Sequence, residues 1–244
     1  ENWGLGYEAL AAINPKLIMV RVSGFGQTGP YRNKPGFGVI GEAMGGLRYL
    51  TGHPGEPSVR VGVSIGDSLS ALYAVIGTLL ALQERQRSGL GQEIDVALYE
   101  SVFAMMESLL PEFDATGHVR EPSGSALPGI TPSNAYRTRE GEYVLIAGNG
   151  DSIFKRLMGV IGREDLANHP AMAHNDGRSQ HANEIDAAIE AWTQTRRRDD
   201  ILSALDDARV PAGFPYTAAD IANDPHYLAR EMIQTVTRAD GRPL

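Results

Sequence analysis

Asp67 stands alone between two apolar runs in "VGVSIGDSLSALYA" (Val61 to Ala74). The residues before it read as a buried strand and those after it as a buried helix, so the carboxylate marks a strand-to-helix junction. Three chemistries fit. A carboxylate can cap the helix by accepting a free backbone N–H, a contribution of about 0.5–2 kcal/mol, and residue type alone favours this role. A carboxylate held at a helix N-terminus is also ionised and oriented, as a nucleophile must be. The third candidate is its neighbour Ser64, because Gly62-Val63-Ser64-Ile65-Gly66 satisfies the G-x-S-x-G nucleophile elbow of serine hydrolases and thioesterases. Asp206, Asp207 or Asp224 and then His226 follow in the chain order such a triad takes, although Asp224-Pro225-His226-Tyr227 itself reads as a helix start.

Gly24-Phe25-Gly26-Gln27-Thr28-Gly29 satisfies G-x-G-x-x-G after an apolar run. A dinucleotide site also needs a helix opening at those glycines. Pro30 and Pro35 forbid that helix, so the stretch is read as a Gly-rich loop lining a pocket. The six histidines form no metal-ligand spacing; His169 and His174 are read as loop residues. Arg196-Arg197-Arg198, followed by Asp199-Asp200, reads as a solvated helix start, and Met105-Met106 as core.

The elements that must position these residues alternate. Leu17 to Ser23, Val59 to Ile65 and Gln92 to Leu98 read as strands. Val39 to Leu50 reads as a Gly-interrupted helix, and Asp67 to Arg87 as a long helix, apolar nearly all round and so mostly buried. Arg85, Arg87 and Gly89 mark the end of that helix. A further helix runs to about Leu110. Alternation at this spacing predicts βαβ units and a parallel sheet. Beyond Pro111 the character changes to Pro, Gly and Ser. A strand over Glu142 to Ala147 and helices over Ser152 to Ile161, Ala182 to Thr193 and Arg198 to Ala208 follow; Val210 to Phe214 begins a return segment, with helices over Ala218 to Asn223 and His226 to Ile233.

Composition narrows the function classes. The 244 residues carry 30 acidic against 22 basic side chains, a net charge of −8, with 42% hydrophobic residues. No basic stripe is present to follow a phosphate backbone, which argues against nucleic acid. Apolar runs are interrupted before the roughly 18–20 residues of a membrane span, and no membrane partner is expected. There is no cysteine, hence no disulfide or thiolate nucleophile; a cytoplasmic location is expected. The chain starts at Glu1 as if entered within an element and stops on a turn-like "TVTRADGRPL", which reads as a piece of a longer protein.

Four blocks together, "RVSGFGQTGPYRNKPGF", "GEAMGGLRYLTG", "VGVSIGDSLSALYAVIGTLLALQERQRSGLGQEIDVALYES" and "VPAGFPYTAADIANDPH", resemble the class III CoA-transferases, the CaiB/BaiF family, over nearly the whole chain. Family members are longer at both ends. The resemblance implies a Rossmann-like parallel-sheet large domain with a smaller α+β domain, in two chains that interlock as a homodimer. On that pattern residues 1–115 belong to the large domain, 116–132 to a linker or flap, 133–209 to the small domain, and 210–244 return to the large domain. It implies that Asp67, after Gly66, is the nucleophile, moving CoA from an acyl-CoA donor to a carboxylic acid acceptor through an aspartyl-CoA thioester, with no metal and no resident cofactor. Arg32 and Lys34 then meet CoA phosphates, and Phe37 with Gly38 lines the acyl pocket; without the resemblance this loop reads as solvated, with Phe37 as a core anchor. Related 2-methylacyl-CoA racemases carry His where this chain has Phe37, which argues for transfer. Many members carry Asp or Glu where this chain has Gly38, leaving Glu42 as the substitute carboxyl. The region Ser123 to Ser133 lacks the four-glycine flap of formyl-CoA-using members, so dicarboxylic or branched acids with a succinyl-CoA-like donor are expected. If the missing parts hold much of the CoA site, this chain by itself is an inactive core.

Overall fold

A computed structural model describes residues 3–242, which fall into two compact units dividing between Gly124 and Ser125, inside the stretch read as a linker. The readings of the two chain ends rest partly on residues 1–2 and 243–244, outside the described residues.

The first unit opens with α1 (Tyr7–Ile13) and β1 (Met19–Ser23), and β1 pairs in parallel with β2 (Glu93–Ala97), from Met19 opposite Glu93 to Ser23 opposite Ala97. Parallel strands need a crossover. Here it holds α2 (Gly38–Met44), α3 (Leu47–Leu50) and the long α4 (Ile65–Ser88); α5 (Leu98–Phe103) and α6 (Leu109–Thr116) follow. Arg85 and Arg87 sit in the last turn of α4, and Gly89 ends it in the left-handed conformation at φ 77°. This is the α/β arrangement with a parallel sheet that alternation predicts.

Three expectations are corrected. Residues 59–65 are not a strand, and Ile65 already opens α4. Val59, Val61 and Val63 alternate as strand residues do, but of the segment only the Val59 N–H joins a neighbouring stretch, donating to Thr51 O at 2.8 Å. The α4 helix is also not mostly buried: only Gly66, Ser70 and Ala81 are, while Leu72, Val75, Ile76, Leu79 and Leu80 are at least half exposed. It packs on α2, β1, β2 and α5 along one side, and among the described residues the two-stranded unit offers nothing to cover the others. Contrary to the reading of interrupted runs, α4 is long and apolar enough by length and composition to cross a membrane, a property that core helices of α/β proteins share.

The second unit builds an antiparallel sheet, β3 (Ser133–Arg137), β4 (Tyr143–Ala147) and β5 (Ala212–Gly213), with β4 in the middle. Burial alternates along β4, and Val144 and Ile146 point into a core with Tyr136, Phe154, Leu157, Ile189, Ile201 and Leu205. The covering helices are α7 (Asp151–Val160), α8 (Glu164–Ala167), α9 (Asn175–Gln180), α10 (Ala182–Thr193) and α11 (Arg198–Asp207); α12 (Ala218–Asn223) and α13 (Pro225–Ala229) follow β5. The segment from Val210 thus begins in this unit, with Val210 in its core and β5 on its sheet.

Candidate active site

The N-terminus of α4 is where the first unit brings chemistry together. Ser64 is the N-cap residue, yet its side chain makes no capping bond. Asp67 lies in the first turn, three residues on, so the reading of Asp67 as the cap itself is corrected. Its carboxylate is exposed and free of capping duty. Among the described residues the backbone N–H groups of Gly66 and Asp67 meet no acceptor. The positive end of a 24-residue helix thus carries an accessible carboxyl group in its first turn.

What holds this turn in place is α2. Gly38 is its first residue and is buried; a Cβ there would stand 2.5 Å from Asp67 Oδ2. A Cβ on Gly66 would stand 3.3 Å from Gly38 O and 3.6 Å from Glu42 Cγ. The two helices thus cross at backbone contact, which only glycine allows. Glu42, one turn further along α2, is buried at 1% exposure, with Oε1 unpartnered and Oε2 4.0 Å from Arg60 Nε.

The loop from Gly24 to Gly36 is pinched shut at its base, since a Cβ on Gly24 would lie 2.8 Å from Gly36 Cα. Phe25 packs edge-on against Tyr31, and Lys34 Nζ sits 3.7 Å over the Tyr31 ring. Gly26 and Gly29 have positive φ and no helix opens on them, in keeping with a Gly-rich loop and not a dinucleotide fingerprint. Arg32 and Lys34 are exposed. Phe37 is corrected as a core anchor: it is 77% exposed, the N-cap of α2. It adjoins Gly38, the residue that stands against Asp67.

The elbow at Ser64 fares differently, because its defining strand is absent. In the second unit the Asp224 carboxylate caps α13, accepting from the N–H groups of His226 and Tyr227, and accepts from Tyr216 OH at 2.9 Å. That is the helix start its sequence predicts. His169 accepts from Ala171 N–H, and His174 Nδ1 lies 2.8 Å from Asp151 Oδ2. Among the described residues no group of three His, Cys, Asp or Glu side chains could hold a metal ion. Sequence reasoning passed over Arg60, although a lone cation shortly before Asp67 was there to be seen.

The family model of CoA-transferase family III matches residues 1–244. The chain belongs to that family. Among family III relatives, it is 52% identical over 233 residues to the succinyl-CoA–D-citramalate CoA-transferase of Chloroflexus aurantiacus, covering 96% of this chain and 58% of that one. The succinyl-CoA–L-malate CoA-transferase beta subunit of the same organism is 38% identical, over 98% of this chain and 60% of its own length. In three dimensions the chain matches a CaiB/BaiF family protein from Brucella suis with a TM-score of 0.81 and 36% identity, over 99% of this chain and 63% of the other. This family III chain thus spans about three fifths of the length of these relatives, and it shares the CaiB/BaiF fold with its α/β first unit.

Proposed function

We propose that the protein moves CoA from an acyl-CoA donor to a carboxylic acid acceptor, with Asp67 as nucleophile. The observation that carries this is the Asp67 carboxylate itself: exposed, uncapped, seated in a turn whose Gly66 and Asp67 N–H groups lack acceptors, and wedged against Gly38.

An Asp67 oxygen attacks the donor's thioester carbonyl, the C–S bond breaks, and a mixed anhydride forms with CoA leaving as thiolate. The thiolate attacks the Asp67 carbonyl of that anhydride, releasing the donor acid as carboxylate and leaving an aspartyl-CoA thioester. The acceptor carboxylate attacks this thioester and expels the thiolate again. The thiolate then attacks the acceptor's carbonyl, and Asp67 departs as carboxylate with all atoms balanced. One thioester replaces another, so no ATP or metal enters. A carboxylate is a weak nucleophile, and the protein must supply alignment and N–H donors for the oxyanion.

Arg32 and Lys34, on the exposed loop, would meet CoA phosphates, and Phe37 with Gly38 would border the acyl group. Phe37 has no proton to give or take, which favours transfer over 2-methylacyl-CoA racemisation. The two named relatives act with succinyl-CoA and on D-citramalate or L-malate. A succinyl donor and a dicarboxylic acceptor are therefore the substrates to try first. An interlocked homodimer and a cytoplasmic setting, where acyl-CoA esters are available, complete the proposal.

Intact mass after mixing the full natural chain with succinyl-CoA tests it. A CoA adduct should form in the wild type and in Ser64→Ala, and vanish in Asp67→Ala. Hydrolysis without any adduct, lost only in Ser64→Ala, would replace the transferase with a thioesterase.

A further inference from the structure

Gly38, Gly41, Glu42 and Gly45 share one buried face of α2 and its C-cap, and Glu42 is the single side chain on it. The glycines are needed for the approach: a Cβ on Gly41 would lie 2.8 Å from Leu98 Cβ, and one on Gly45 2.7 Å from Val102 Cβ. An aliphatic side chain would fill the place of Glu42 without burying a half-satisfied carboxyl, whose desolvation is costly. Its contribution must lie in what it faces, the Arg60 guanidinium.

Arg60 is 49% exposed, and among the described residues its one polar partner is the Glu42 carboxyl, 4.0 Å away on the Nε side. A guanidinium steadied through Nε keeps its terminal nitrogens for a ligand, and a steadied fork loses less entropy when it binds. Asp67 and Arg60 both stand against residues of the same buried face of α2. Asp67 meets it at Gly38 and Arg60 at Glu42, about 6 Å further along the helix axis. A short diacid carries its second carboxylate over a comparable distance.

We infer that Arg60, oriented by the buried Glu42, selects dicarboxylic acyl groups by pairing with the carboxylate that does not react, while Asp67 attacks the other end. Arg60 is a binding residue and Glu42 a positioning residue; the assignment rests on Asp67 being the nucleophile. A guanidinium takes a carboxylate through two parallel N–H···O bonds, fixing its register as well as holding it.

The test compares CoA-adduct formation from succinyl-CoA and from butyryl-CoA, which has the same carbon count but ends in a methyl group, using the full natural chain. The wild type should prefer succinyl-CoA. Arg60→Gln should lower kcat/KM for succinyl-CoA by about 10- to 100-fold and leave that for butyryl-CoA nearly unchanged. Arg60→Lys should restore part of the preference, and Glu42→Gln should erode it in the same direction. A wild type without preference, or an Arg60→Gln variant that keeps the preference or loses both donors alike, overturns the assignment. Should Glu42→Gln not fold, the half-exposed Arg60 variants decide. An adduct that persists in Asp67→Asn, or never forms in the wild type, instead overturns the nucleophile on which the inference stands.

Discussion

The Asp67 carboxylate occupies the space in which Gly38 would carry a side chain: a Cβ there would lie 2.5 Å from Oδ2 and 3.0 Å from Cγ. The missing side chain on α2 therefore sets where the carboxylate on α4 can stand. Gly38→Ala should turn that carboxylate away and cut adduct formation by about 100-fold, the scale of a misplacement near 1 Å. The circular dichroism spectrum should stay the same. Full activity in this variant would mean that Asp67 works from another position.

Glycines of this chain should respond oppositely to alanine according to the space around them. Gly45→Ala drives a methyl into Val102 and the Tyr99 carbonyl, 2.7 and 2.8 Å away, and should destabilise by about 1–3 kcal/mol. Gly159, inside α7 and exposed, has nothing within 4 Å of such a methyl. Gly159→Ala should stabilise by about 0.4–1 kcal/mol. Urea denaturation of both variants checks the contrast in sign.

Arg178 should be indispensable to the second unit. It is fully buried and donates to the carbonyls of Thr131, Met172, Ala173 and Asn149 and to the Asp151 carboxylate. Arg178→Leu strands these acceptors and should cost about 3–5 kcal/mol in urea midpoint analysis. Arg178→Lys should rescue little, since one ammonium cannot reach a fork of acceptors. The Asp151 carboxyl, held below its usual range first by Arg178 and then by His174, should titrate higher in either variant.

Acid should reveal the Arg163–Asp165 pair. Arg163 donates to both Asp165 oxygens, at 2.8 and 2.7 Å, and holds that carboxyl down to about 2. A depressed folded-state value means the stabilisation is complete above the ordinary Asp range, near 4, and is lost as pH falls through about 2. Asp165 is exposed and Arg163 partly so, so the effect on stability should be small. Carboxyl-carbon NMR should show Asp165 titrating near 2 in the wild type and closer to 4 in Arg163→Gln.

Much of the fold was legible because local chemistry and tertiary packing agree. Periodicity marks α10 over Ala182–Thr193. A Thr217–Asp220 capping box opens α12 at Ala218, where the sequence places it. By contrast β3, "SNAYR", is polar and short, and only its pairing with β4 makes it a strand. Residues 59–65 mislead in the other direction, with a strand's alternation and no strand to join. Burial of α4 was overread because apolarity shows what a helix can cover, not what is present to cover it. At the site, the sequence singles out Asp67 by its isolation between apolar runs. Arg60 and Glu42 sit on separate segments, and nothing in their spacing shows that they meet.

The bare face of α2 also bears on how new specificities can arise here. Positions 41 and 45 have little latitude, because a side chain there meets Leu98 at 2.8 Å or Val102 at 2.7 Å. Diversity must then enter through the irregular stretch that carries Arg60, where Val59 and Val63 already lie open to solvent. A randomised library confined to residues 53–63 would vary the surroundings of Arg60 and spare the glycine contacts; one aimed at Gly41 and Gly45 would return mostly destabilised protein.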